Sequence, residues 1–250
     1  MKSKPAKVAI SFITIILINI LLCPFFGFGL ENPHVGFLFV LGLAFGPYGA
    51  LGAVLGNIVI DLVSGYRPVE ILPSAIISFG VSYLAYKLWY SGFKTEKITK
   101  PKLDNIYHLL LFLSAILICG FIYSSAHADL IGIFFSKDID EYLFASYFLN
   151  FVNIAFIFGI LGIWLSKKFD FIEVPKASKT PVNKKLYWLL IRLLLLMTVI
   201  SSITLLISQN ETILIANLLI MQILLFAYLT RPLEHEVKPP DENTITEKIL

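Results

Sequence analysis

Charge is what this sequence has least of. Only 15% of its 250 residues are Asp, Glu, Lys or Arg, against about 25% in ordinary soluble domains. Hydrophobic residues make up 57%, and the mean hydropathy is +0.81. A water-soluble globule could not hide that much apolar surface, so a soluble enzyme, a nucleic-acid binder and a disordered chain are all excluded. Cysteine is nearly missing too. Cys23 and Cys119 both sit in apolar runs, where a thiol serves as a small packing residue, and their spacing suggests neither a disulfide framework nor a metal site.

Enzyme signatures are also wanting. The sequence has no HExxH, no intramembrane Ser–His pair, no aspartyl pair in a GxGD context and no glycine loop beside a lysine that would cradle phosphate. The four histidines, His34, His108, His127 and His235, are scattered along the chain and are not expected to converge. No enzymatic activity, cofactor or metal is expected.

What the chain does have is long apolar runs. A helix needs roughly 20 apolar residues to cross a bilayer. Candidate segments are Val8 to Leu30, Gly36 to Gly46, Tyr48 to Ser64, Ile71 to Trp89, Ile106 to Ser124, Phe144 to Leu165, Leu186 to Ile207 and Thr212 to Thr230. The expectation is an all-α polytopic membrane protein of about eight transmembrane helices. The second segment is short: it either spans, or packs as a half-helix against its neighbours.

Lys and Arg collect on the cytoplasmic side of membrane proteins. With the N-terminus inside and eight crossings, sixteen Lys and Arg fall inside and two, Arg67 and Lys137, outside. Lys87 and Arg192 lie within helices, close enough to the inner end to snorkel. Fusing the second and third segments would put the Lys94–Lys102 cluster outside, so the charges favour a break at Gly46-Pro47 and an N-in, C-in chain. This gives a four-helix half at residues 1–92, a basic cytoplasmic linker at 93–104, a second four-helix half at 105–230 and a cytoplasmic tail at 231–250. Asn210-Glu211-Thr212 spells a glycosylation sequon within a very tight loop.

The most informative stretch is Gly42 to Asp61, GLAFGPYGALGAVLGNIVID. Gly42 and Gly46 are four apart, as are Gly52 and Gly56, a spacing that lets helix backbones approach closely in lipid. Pro47 breaks the run. Gly49, Ala53, Asn57 and Asp61 follow at intervals of four and form one small-and-polar stripe. An ionisable group inside a membrane faces a bundle interior or water. Asp61 therefore either lines a cavity opening to the outside, or reaches interfacial water or pairs with Arg67. Asn57 is a helix–helix hydrogen bonder or a ligand contact. The loop Gly65 to Glu70 offers Tyr66 and Arg67 as a rim, and Ser74, Ser78 and Ser82 give the next helix a small face for the glycine stripe.

Tyr83, Tyr86, Lys87, Trp89 and Tyr90 read as an interfacial aromatic belt with a basic anchor. Ser125 to Tyr142 reads as the longest outer connection, an interfacial helix lidding the bundle; its His127, Asp129, Asp138, Asp140 and Glu141 match no metal-site spacing. Asn150 and Asn153 should share a face as polar contacts between helices.

At Phe45-Gly46-Pro47-Tyr48-Gly49-Ala50-Leu51-Gly52-Ala53, followed by Asn57 and Asp61-Leu62-Val63-Ser64-Gly65, the chain resembles the substrate-capture (S) subunits of energy-coupling factor transporters. The resemblance covers about residues 36–91. It implies a helical subunit of a prokaryotic cell membrane that binds a vitamin-like small molecule from outside, with Asn57, Asp61, Tyr66 and Arg67 as ligand contacts. Its partners would be the lipid bilayer, a transmembrane coupling subunit and cytoplasmic ATPases, with no nucleic acid. The alternatives are a stand-alone membrane sensor or accessory protein, and a structural subunit of a larger membrane complex.

Overall fold

In a computed structural model the chain is all-α, and the structure describes residues 3–26, 34–90, 100–135, 141–172, 174, 184–207 and 210–231. Seven helices follow in order: α1 Lys4–Phe26, α2 Val35–Val63, α3 Pro68–Tyr90, α4 Ile106–Phe135, α5 Glu141–Phe169, α6 Lys184–Ile207 and α7 Glu211–Leu229. All are long and apolar enough to cross a membrane. Leu and Ile side chains stand exposed on α1, α6 and α7, as expected where the surrounding solvent is lipid. The protein is a multi-pass membrane protein.

α2 is not one rod. Gly46 adopts φ +58° and ψ −138°, a conformation open essentially to glycine alone. Pro47 then starts the next stretch, where its missing N–H and fixed φ suit a first helical turn. The chain doubles back here, because His34 and Asn57 meet at 2.6 Å, whereas a straight helix would set them about 35 Å apart. The arms pack so closely that a Cβ on Gly49 would lie 2.1 Å from the Leu41 carbonyl oxygen. The break expected at Gly46-Pro47 is thus present.

The glycine stripe meets other partners than expected. Gly52 faces the Val8 carbonyl and Ser11, and Gly56 faces Phe12 and Ile15, all on α1. It is Gly42, on the first arm, that meets α3: an added Cβ would fall 1.8 Å from the Ser82 carbonyl oxygen. There Ser82 Oγ donates to the Leu38 carbonyl at 2.6 Å. Gly46 lies against the Tyr86 ring, and Ala53 is fully buried.

Contacts at the two ends show how the helices run. Lys4 Nζ sits 5.3 Å from the Tyr48 ring, Phe45 meets Phe171, Trp89 meets His108, and Lys100 pairs with Asp170. These basic and aromatic residues gather at one end of the bundle, hereafter the basic end. The turn Ser64–Arg67, the end of α4, the end of α6 and the start of α7 lie at the distal end. One continuous apolar core joins all seven helices, α1 entering it through Ile15.

Several expectations give way here. Tyr86, Trp89 and Tyr90 are buried rather than belted around an interface, and Lys87 is 1% exposed. Instead of snorkelling, Lys87 donates to the Arg231 carbonyl at the end of α7, a favourable place for a cation. α4 continues helical through Phe135, so Ser125 to Phe135 is no outer connection. Its polar side chains turn inward, with Asp129 fully buried and bonded by Ser201 of α6. Asn210 caps α7, its side chain accepting from the Thr212 and Ile213 amides at 3.0 and 3.3 Å. The sequon asparagine is therefore engaged as a helix cap. Residues 91–99 of the linker, residues 232–250 of the tail, and Lys137, Asp138, Asp140 and His235 lie outside the described residues.

Candidate functional site

Where α2 ends at the distal end, the bundle opens into a cavity of about 510 Å³, counting the space at its mouth. It is lined by Asn57 and Asp61 of α2, Tyr66 of the turn, Glu70, Ile71 and Ser74 of α3, Tyr123, His127, Leu130, Ile131 and Phe134 of α4, and Tyr147 of α5. Three of the four expected contacts, Asn57, Asp61 and Tyr66, come together there. The fourth does not line it.

Arg67 is committed to Glu70. Its Nε donates to Oε1 at 2.6 Å and its backbone N–H donates to Oε2 at 2.8 Å, while a terminal guanidinium nitrogen lies 2.5 Å from Oε1. The two guanidinium nitrogens share Oε1 while the backbone amide takes Oε2, and the Glu70 charge is neutralised inside the rim. The expected alternative of an Asp61–Arg67 pair does not form. Asp61 is 8% exposed, and among the described residues no Lys or Arg pairs with it.

What holds Asp61 is a chain of amides and a ring. Asn57 Nδ2 donates to Asp61 Oδ2 at 3.2 Å. Asn57 Oδ1 is 2.6 Å from His34 Nε2, and His34 Nδ1 is 3.0 Å from Asn19 Nδ2. An amide nitrogen can only donate, so the His34 Nδ1 accepts and its Nε2 carries the proton given to Asn57. Every donor therefore points the same way, from Asn19 through His34 and Asn57 to the Asp61 carboxylate. Such aligned bonds strengthen one another in a low-dielectric interior. Asp61 Oδ2 is the acceptor end, and Oδ1 takes no hydrogen bond from the described residues.

The opposite wall is aromatic. The His127 ring stacks on Tyr123 at 4.0 Å between centroids, and Tyr147 packs against both. His127 Nδ1 faces the Tyr123 carbonyl at 3.2 Å, which can only accept, so this nitrogen carries the hydrogen. Its Nε2 then accepts from Ser74 Oγ at 3.3 Å. In the turn, Tyr66 has its hydroxyl pKa raised above 10.0, first by burial and then by the Asp61 and Glu70 carboxylates. It stays a proton donor at neutral pH.

Sequence reasoning missed His34, His127, Tyr123 and Tyr147. Contrary to the expectation of scattered histidines, two of them converge on one site, His127 in the cavity wall and His34 behind Asn57. Tyr123 and His127 were reachable through helical spacing, being four apart, had α4 been carried past Ser124; His34, just before α2, was not. Asn150 is half-buried and Asn153 exposed on α5, and neither lines the cavity. Among the described residues no three His, Cys, Asp or Glu side chains group as metal ligands. In comparisons with known proteins, no family model, no curated protein and no solved structure matches this chain.

Proposed function

We propose that this protein is the small-molecule-binding subunit of an energy-coupled uptake system. The observation that carries the reading is the distal cavity itself. It sets a buried, oriented carboxylate against tyrosine rings and an apolar floor, a few convergent polar groups in an otherwise apolar concave site. A carboxylate at that depth costs free energy that packing alone does not offset; a bound polar ligand would.

In this reading the arms of α2 are separate crossings, so the chain crosses eight times with both termini in the cytoplasm. The basic end faces the cytoplasm and the cavity opens outward in a prokaryotic cell membrane. Nothing in the cavity supplies an energy source, so movement of the ligand falls to partners, a transmembrane coupling subunit and cytoplasmic ATPases.

The test is to purify the tagged chain from its own membranes and analyse it by native mass spectrometry. A small molecule retained by the wild type and lost from Asp61→Asn, together with copurifying ATPase subunits, is the expected result. A chain that carries neither, and comes down instead with a fixed set of structural membrane proteins, would overturn the proposal.

A further inference from the structure

Resting on that capture reading, the geometry points to an organic ammonium ion with an apolar or aromatic body as the ligand class, its charged nitrogen seated on Asp61. The charge arithmetic of the cavity decides this. Its wall carries two carboxylates, Asp61 and Glu70. Glu70 is matched by Arg67; Asp61 is matched by nothing charged. The site is one cation short.

The hydrogen bonds agree. One donor, Asn57 Nδ2 at the end of the relay from Asn19, reaches Asp61 Oδ2, and a hydrogen bond to the ionised form favours a carboxylate acting as acceptor. Oδ1 remains available to a donor in the cavity. An anionic ligand would meet repulsion from Asp61, and the nearest guanidinium is already held by Glu70. The side chains facing Asp61 add no positive charge from the other elements. From α4 and α5 come Tyr123, Tyr147 and His127, and both ring nitrogens of His127 are already bonded. Tyrosine faces attract cations as well, and the floor of Leu130, Ile131 and Phe134 suits the ligand's apolar body.

The experiment uses the full chain in detergent and three probes of nearly equal shape: phenethylammonium, 2-phenylethanol and phenylacetate. Binding is read by calorimetry. The expected result is that phenethylammonium binds, and that each of the other two binds at least about thirtyfold more weakly, the scale seen when one partner of a buried charge pair is lost. Asp61→Asn should erase the preference. Arg67→Gln should do the opposite: by leaving Glu70 unmatched, it should tighten phenethylammonium binding severalfold without touching Asp61. That second variant, and the wild-type ranking of probes, keep the inference open to refutation even if Asp61→Asn fails to fold.

If 2-phenylethanol or phenylacetate binds as well as phenethylammonium, the ammonium assignment is wrong while the cavity remains a capture site. If none of the probes binds and none protects the protein against heat, the capture reading fails with it. The ammonium group could come from solution or from a lipid headgroup. Nanodiscs of phosphatidylethanolamine, compared with phosphatidylglycerol, separate the sources. Weaker probe binding in the former assigns the site to the headgroup, equal binding assigns it to a soluble amine, and both outcomes uphold an ammonium site.

Discussion

His34 Nε2 and Asn57 Oδ1 lie 2.6 Å apart although both belong to one continuous stretch, His34 just before α2 and Asn57 near its end. That bond exists because Gly46 and Pro47 fold the stretch back on itself. It joins the first arm to the residue that holds Asp61, so the backbone turn at the basic end and the carboxylate at the distal end are parts of one arrangement.

Replacing His34 with Ala should therefore have two effects. Buried Asn57 loses a partner, at a cost of about 1–3 kcal/mol, and half-buried Asn19 loses one at a smaller cost. Asn57 also loses the bond that fixes its amide orientation, so Asp61 should lose its ordered acceptor geometry. A lower melting temperature in detergent together with weaker binding of phenethylammonium is expected. His34→Gln, whose amide can both donate and accept, should recover part of each. If His34→Ala melts like the wild type, the relay is not a stabilising element.

Glycine substitutions should separate close backbone approach from mere space. At Gly42 a methyl group would collide with the Ser82 carbonyl, a backbone atom that cannot step aside. Gly42→Ala should lower stability by about 1–3 kcal/mol or more. At Gly162 the nearest atom would be a Val40 methyl at 3.6 Å, ordinary contact distance. Gly162→Ala should be neutral or mildly stabilising, since alanine is the better helix former. Equal losses at both positions would show that the α2–α3 contact is looser than described.

How far the sequence revealed this architecture depends on where its signals were local. The Gly46-Pro47 break was legible because a helix breaker, small residues and the distribution of lysines all pointed to it. The stripe Gly49, Ala53, Asn57 and Asp61 was legible from spacing alone. Its packing partner was not. α1 offers the Val8 and Phe12 carbonyls and the Ser11 and Ile15 side chains to Gly52 and Gly56, in a stretch that reads like any lipid-facing run. The aromatic wall was lost for a different reason. Ser124, Ser125, His127 and Asp129 lower the hydropathy of α4 and make it seem to end, whereas the polar groups turn inward and the helix continues. Hydropathy cannot distinguish a helix leaving the membrane from one lining a polar interior.

The basic end should respond to acid. Lys102 and then His108 bond to the Asp104 carboxylate and draw its pKa down from 3.8 to about 2. A carboxylate depressed in the folded state stabilises it above the unfolded pKa, and this contribution fades as pH falls through the folded value. The start of α4 should thus hold at neutral pH and loosen between about pH 3.8 and about pH 2. Trp89, 6.0 Å from the His108 ring, reports on this contact in a background carrying Trp164→Phe and Trp188→Phe. Its fluorescence should shift across that window, and Asp104→Asn should show the shifted signal already at neutral pH. A wild-type signal that stays flat down to pH 2 would mean that the Asp104 contacts do not order this turn.

The number of crossings turns on α2, and labelling can decide it. If each arm crosses, Ser64 lies outside and Lys102, one helix later, lies inside. If α2 crosses only once, α3 and every later helix invert, placing Ser64 inside with the N-terminus and the Lys102 loop outside. The first arrangement puts the Lys100 and Lys102 cluster on the side where basic loops are retained. It also agrees with the contacts that bring Lys4 to Tyr48 and Lys100 to Asp170 at the same end of the bundle. Single cysteines at Ser64 and Lys102, in a chain lacking Cys23 and Cys119, should react with an impermeant maleimide from opposite faces, Ser64 from outside intact cells and Lys102 only after permeabilisation. The reverse pattern would mean that α2 crosses only once, against the close meeting of His34 with Asn57 across its doubled-back arms, and the cavity would then open toward the cytoplasm, where it could not capture a ligand for uptake.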